Sequence, residues 1–176
     1  DSLTCVVIVS ATDAAGTATQ QTITVTITDV NDAPTVANAI PDASTAEDAA
    51  YSLSISSVFS EVDSGDSCTY TMSGAPGTIT LSGTTISGTP VNANVGTHTI
   101  VVTCTDGSSA AVSDTFVLTV TNTNDAPTVA SAIPDASTAE DSAYSISVSS
   151  VFADVDVDDT LTYTMSGAPS TLSISG

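Results

Sequence analysis

The chain has 176 residues, of which 20 are Asp or Glu and none is Lys or Arg, for a formal net charge of −20. Soluble domains ordinarily carry about a quarter of their residues charged, in both signs. A chain of one sign repels nucleic acid, phosphate ligands and anionic membranes, forms no Lys or Arg ion pair, and takes metal ions or basic partners as its counter-charge.

Residues 1–30 begin with the longest apolar run of the chain, Cys5 to Val9. This is far short of the 18 or so residues of a membrane-spanning helix. Ile23, Val25 and Ile27 then alternate with Thr, the period of a half-buried strand. After Asn31-Asp32-Ala33-Pro34 the strand signals come at short intervals: A at 35–40, B at 50–59, C at 68–73, D at 78–82, E at 84–88, F at 97–105 and G at 114–122. Turn signals separate them at Ser64-Gly65, Gly74-Ala75-Pro76-Gly77, Ser82-Gly83, Gly88-Thr89-Pro90 and Asp106-Gly107. Seven strands in this length is the size of an immunoglobulin-like sandwich.

From Asn124 the pattern starts again. Asn31 to Val36 recurs at Asn124 to Val129, and Ala39 to Asp48 recurs at Ala132 to Asp141, a gapless displacement of 93 residues. The same displacement sets Ala11-Thr12-Asp13 on Cys104-Thr105-Asp106 and Thr22 to Ile27 on Thr115 to Val120. One folded unit is therefore copied along the chain. In this phase residues 31–123 form a complete unit. Residues 1–30 are the back half of another, with strands F and G, and residues 124–176 the front half of a third, with strands A to D. The stretch corresponding to Thr84–Ala93 is missing from the two halves taken together. The expected architecture is all-β, a tandem array of sandwiches. Regular alternation argues against the disordered reading that high Ser and Thr content otherwise invites.

The linker Asp29-Val30-Asn31-Asp32-Ala33-Pro34 resembles the inter-domain calcium linker of cadherins. Phe152-Ala153-Asp154-Val155-Asp156-Val157-Asp158-Asp159-Thr160-Leu161-Thr162-Tyr163 is similar to the B–C region of cadherin-like repeats. Ser87-Gly88-Thr89-Pro90, Val95-Gly96-Thr97, Val101-Val102-Thr103 and Thr105-Asp106 are similar to the dystroglycan-type cadherin-like domains of microbial surface proteins. The resemblance covers every unit. It implies a sandwich fold and roles in adhesion, stalks and surface arrays.

The resemblance also assigns ligands, and strand directions agree with it. At the entrance of the complete unit, Asp29, Asn31 and Asp32 are expected to meet Asp63, Asp66 and Asp106. At its exit, Glu47 and Asp48 are expected to meet Asn122, Asn124 and Asp125, together with Asp154, Asp156, Asp158 and Asp159 of the following unit. Carboxylates and Asn carbonyls suit Ca²⁺, which takes 6–8 oxygens at about 2.3–2.6 Å, better than Zn²⁺, which prefers Cys and His. The alternative is that these residues serve as turn formers on a solvated acidic surface.

Strands C and F are antiparallel neighbours in such sandwiches, and Cys68 begins one while Cys104 ends the other on inward parity. A disulfide fits there; two buried free thiols, or a metal site, are the alternatives. The counterparts of this pair are Leu161 and Ala11. Cys5 matches His98 and has no partner in the chain, which leaves a buried thiol or an intermolecular bridge.

Catalytic machinery is not expected. His98 lies alone on a strand, no cationic side chain is available as an oxyanion clamp, and neither a phosphate loop nor a nucleophile motif occurs. No secretory leader precedes Asp1, so the chain reads as a mature piece or an excerpt. Cysteines in an acidic β-protein favour an extracellular or cell-surface setting. No Asn-x-Ser/Thr sequon occurs, and the Ser/Thr faces leave O-linked glycans open. The leading expectation is a structural subunit or segment of an extracellular filament, stalk or sheath, with copies of itself as partners, head to tail. The alternatives are a calcium-dependent adhesin and a carbohydrate-binding accessory module. The two half units further suggest that the front half of one copy takes up the back half of the next by strand exchange, or that a continuous chain joins them.

Overall fold

The computed structural model describes residues 3–173. Residues 1, 2 and 174–176, at the outer ends of the expected half units, lie outside the described residues. Among the described residues every regular element is a strand apart from one short 3-10 turn at Asn92–Asn94, and no helix is long and apolar enough to cross a membrane.

Leu3–Thr12 (β1) and Ala18–Ile27 (β2) form a ten-residue antiparallel hairpin, Leu3 opposite Ile27 and Thr12 opposite Ala18. Asp13 makes its turn: Oδ1 accepts from the amides of Ala15 at 2.9 Å and Thr17 at 2.8 Å, and Gly16 takes the left-handed φ of 87° that the reversal needs. Among the described residues β1 and β2 pair only with each other, and their side chains are nearly all exposed.

The complete unit is built from Thr35–Val36 (β3), Ala43–Ala46 (β4), Tyr51–Ser54 (β5), Phe59–Ser60 (β6), Thr69–Ser73 (β7), Ile79–Ser82 (β8), Thr85–Gly88 (β9), Gly96–Thr105 (β10) and Ala111–Thr121 (β11). One sheet runs β4-β11-β10-β7, the other β5-β9-β8, and β3 pairs β6 in a short ribbon. Alternation places Ile100, Val102 and Cys104 of β10 and Phe116, Leu118 and Val120 of β11 inward, all at 1% exposure or less. They pack on Ile55, Ile79 and Ile86 from the other sheet. Each such side chain contributes about 1.5–3 kcal/mol on burial, so this layer carries the fold.

Two expected strands depart from their expected bounds in the structure. Strand A, expected at 35–40, is realised only at Thr35–Val36, and β4 lies beyond its expected bounds, because the chain crosses between sheets through Ile40-Pro41-Asp42, where Pro41 has no N–H for a ladder. The crossing is held by carboxylates: Asp114 accepts from the Ile40 amide at 2.6 Å and Asp42 from the Val117 amide at 2.7 Å. β4 then runs parallel to β11, Ala43 opposite Leu118 and Ala46 opposite Thr121, a pairing absent from the sequence reading. Strand B becomes β5 and β6, separated by a turn in which the Val58 amide donates to the Ile55 carbonyl at 3.1 Å. At the end of β9, Gly88 lies against the Thr78 carbonyl so closely that a Cβ would overlap it.

Beyond the second linker, only Thr128–Val129 (β12) and Phe152–Ala153 (β13) form strands among the described residues, and they pair with each other. Strands A to D of the front half are therefore mostly unformed, contrary to the sequence expectation. The reason is physical. In the complete unit β4 is laid on β11, β7 on β10 and β5 on β9, and the front half offers none of these partners.

Candidate metal centre

The exit of the complete unit concentrates carboxylates from three elements. Glu47 follows β4 and extends its ladder, donating its amide to the Thr121 carbonyl at 3.0 Å. Its side chain is 2% exposed; Oε1 accepts from the Thr123 amide at 3.0 Å, while Oε2 is buried without a partner. Asp125, in the linker, donates its amide to Asp156 Oδ2 at 2.8 Å. Asp156 comes from the loop after β13 and is 6% exposed. Its Oδ1 accepts from the Asn92 side chain at 3.1 Å, and its amide donates to Asp154 Oδ1 at 3.0 Å. Asp154 Oδ2 is a second buried oxygen without a partner.

Glu47, Asp125 and Asp156 each present a carboxylate oxygen within 4.8 Å of the other two, and Asp154, Asp156 and Asp159 form a second such set that shares Asp156. Two oxygens on opposite sides of one Ca²⁺ stand about 4.6–5.2 Å apart, so this spacing matches a shared oxygen-coordinated ion. Zinc chemistry is not served here. No His or Cys belongs to either set, and His98 Nε2 donates to the Asn94 carbonyl at 2.7 Å.

With no cation the cluster is electrostatically unfavourable. The Asp125 carboxyl is pushed above its usual range, first by burial and then by the charges of Asp156, Asp48, Glu47 and Asp154. Two buried oxygens that accept no hydrogen bond each forgo the compensation that a buried charge requires.

The entrance repeats part of this design 93 residues earlier. Asp32 donates its amide to Asp63 Oδ2 at 2.8 Å, as Asp125 does to Asp156. Glu61 stands where Asp154 stands; its Oε1 accepts from the Val62 and Asp63 amides at 2.7 and 3.0 Å, and its Oε2 is buried without a partner. Asp106 is saturated: Oδ2 accepts from Asn31 at 3.0 Å, Oδ1 from the amides of Ser108 at 2.9 Å and Ala110 at 2.7 Å. The Asn31 amide, foremost, holds this carboxyl below its usual range. Asp66 Oδ1 accepts from the Gly107 amide at 2.9 Å, closing the two loops together. Among the described residues no set of three carboxylates forms at this end.

Of the residues expected to be ligands, the structure brings together Glu47, Asp125, Asp154, Asp156 and Asp159 at the exit. Asn124 turns its amide to the Asp125 carbonyl at 2.8 Å, and Asn122 Oδ1 accepts from Asn92 at 3.4 Å. Asp48 acts on Asp125 through its charge, with a left-handed φ of 58° matched by 60° at Asp141. Asp158 and Asp29 are exposed and belong to neither carboxylate set. Sequence reasoning missed Glu61 and Asn92. The displacement that relates Glu61 to Asp154 was available to find the first; nothing in the sequence ties Asn92 to a linker 30 residues away.

Cys68 and Cys104 are joined by a disulfide with Cα atoms 5.2 Å apart, linking the residue before β7 to β10; Cys5 is a free thiol.

Residues 33–121 match the family described as Putative Ig domain. Among solved structures, the chain is similar to the endo-fucoidan hydrolase MfFcnA4 from glycoside hydrolase family 107, with 21% identity, a TM-score of 0.44, and 60% of this chain and 17% of that chain covered. It is also similar to the endo-fucoidan hydrolase MfFcnA9 of the same family, with 17% identity, a TM-score of 0.39, and 68% and 22% covered. The chain thus spans about a fifth of the length of these enzymes. No curated protein matches it.

Proposed function

The chain belongs to the Putative Ig domain family, and from that premise we propose that it is an extracellular structural repeat, a spacer of a filament, stalk or sheath whose sandwich units are stiffened by Ca²⁺ at their junctions. The family accounts for a stable sandwich that serves as structure or binding surface; the junction accounts for the stiffening. What supports this reading is one observation: Glu47 of one unit, Asp125 of the linker and Asp156 of the next unit converge, with Glu47 Oε2 buried and without a partner. A cation shared by these three groups ties the exit loop, the linker and the following unit into one body. It also removes the repulsion that otherwise drives them apart. Glu47, Asp125, Asp154, Asp156 and Asp159 would hold it, and the ion supplies positive charge where the chain has no cationic side chain of its own.

No reaction is assigned to the site. Glu47 and Asp156 accept from the linker amides of Thr123 and Asp125, which places both carboxylates against the junction.

Titration calorimetry and melting curves test the proposal. Calcium binds and raises the melting midpoint by several degrees over chelator, and magnesium does so more weakly because it demands a smaller octahedral site. Superimposable curves in calcium and chelator would remove the ion from the account.

A further inference from the structure

The 3-10 turn between β9 and β10 touches both sides of the junction. Within it, the Asn94 amide donates to the Val91 carbonyl at 2.7 Å and the Val95 amide to the Asn92 carbonyl at 3.0 Å. Asn94 fastens the turn to the body of the complete unit. Its Oδ1 accepts from the Val91 amide at 3.0 Å and from Thr78 Oγ1, just before β8, at 2.8 Å, and its carbonyl accepts from His98 Nε2 of β10 at 2.7 Å. Thr78 leads into one sheet and His98 lies in the other, so the turn is held from both layers. From this base it reaches two of the converging carboxylates. The carbonyl of Pro90, a fully buried residue, accepts from the Asp48 amide at 2.8 Å, which fixes the corner that carries Glu47. Asn92 Nδ2 donates to Asp156 Oδ1 at 3.1 Å and to Asn122 Oδ1 at 3.4 Å. A carboxylate only accepts, so Asn92 must present its NH₂ group to Asp156. In a chain without Lys or Arg, such an amide is what remains to hold a buried carboxylate from the side.

We propose that the 90–95 turn is the template that sets Glu47 against Asp156, with Asn92 as the residue that positions Asp156 and His98 as the residue that positions Asn92. The two carboxylates belong to different units, and this one turn is tied to both. Removing Asn92 frees Asp156 Oδ1 to swing away from Glu47. Removing the His98 donor loosens the Asn94 carbonyl and, through the turn, the Asn92 amide. Neither residue touches an ion; both act behind the groups that would hold it, where loss of a hydrogen bond typically weakens metal affinity about 10–100-fold. The predicted effect on affinity rests on the calcium reading, whereas the hydrogen-bonded relay from His98 to Asp156 needs no ion.

Calorimetry and carbon-detected NMR of the full chain provide the test. Asn92→Ala lowers calcium affinity roughly tenfold. His98→Ala lowers it by less, and His98→Gln, which keeps an N–H donor at similar reach, restores it. The double variant Asn92→Ala, His98→Ala binds no more weakly than Asn92→Ala alone, because both changes act through one contact. Equal affinity in Asn92→Ala and the parent chain, or additive losses in the double variant, overturns the proposal and leaves the calcium reading standing. Failure of His98→Gln to restore affinity overturns the part assigned to His98. A parent chain that binds no calcium removes the calcium reading instead, and the relay is then decided in chelator. There the Asp156 carboxyl carbon resonance moves on His98→Ala and no longer moves when Asn92→Ala is already present; a resonance indifferent to His98→Ala overturns the relay. Should His98→Ala not fold, His98→Leu, which keeps the bulk of the side chain without its donor, replaces it in each comparison.

Discussion

At the scale of single residues, the acidic side chains divide by what they accept. Asp13, Asp42, Asp106 and Asp114 receive backbone amides and are spent on turns and strand crossings. Glu47 is not spent, because one of its oxygens is buried with no donor. Glu47→Gln therefore lowers calcium affinity at least about tenfold, a loss in keeping with removal of one charged ligand. In chelator it leaves the melting midpoint unchanged or raises it, since a buried unpaired charge is costly. Calorimetry and thermal melts of the variant check both halves. Asp125 and Asp106 make the pH dependence. The Asp125 carboxyl is raised in the fold, so its contribution is full below the ordinary carboxylate value and is lost as pH rises through its folded value. Asp106 is lowered, so its contribution is full above the ordinary value and is lost as pH falls through its folded value. In chelator the midpoint accordingly climbs as neutral solution is acidified and falls again in strong acid. In calcium the climb disappears, because protonation competes with the ion. Melting curves across this range in both buffers are the check.

At the scale of elements, the β7–β10 pairing is reinforced covalently. Tyr70 faces Cys104 in the ladder, and Cys68, two residues earlier, reaches diagonally to it. Closing a loop with a sequence separation of 36 residues contributes about 3–4 kcal/mol in the chain-entropy description. The Cys68→Ala, Cys104→Ala variant should then melt on the order of 15 °C lower for a unit of this size. Peptide mapping without reduction should recover the Cys68–Cys104 peptide and an unbonded Cys5. A Cys5–Cys68 or Cys5–Cys104 link contradicts the register.

At the scale of the whole molecule, a charge of −20 with no cationic side chain opposes every close approach of its parts. Monovalent salt shortens the reach of exposed charges to about 10 Å at 0.1 M, yet it screens a buried cluster poorly. In chelator, raising sodium chloride from low to near-molar concentration lifts the melting midpoint gradually without reaching the value that calcium gives. In calcium the midpoint depends weakly on salt. Thermal melts over a salt series in each condition measure this, and sodium matching calcium would reduce the site to general screening.

The sequence by itself determined the all-β class, the repeat of 93 residues and the position of most strands, because alternation and turn residues act within a few positions of one another. Cys68 and Cys104, Asp125 and Asp156 were legible as candidates for the same reason: strand direction and repeat phase are local properties extended by counting. Only the tertiary structure decided that β4 changes sheets to run parallel with β11, that Asn92 holds Asp156, and that Glu47, Asp125 and Asp156 converge at the exit. In the front half, residues whose counterparts form strands in the complete unit stay largely out of strands, with no β10 and β11 beside them among the described residues. Strand propensity is read along the chain, whereas a strand exists only against a partner.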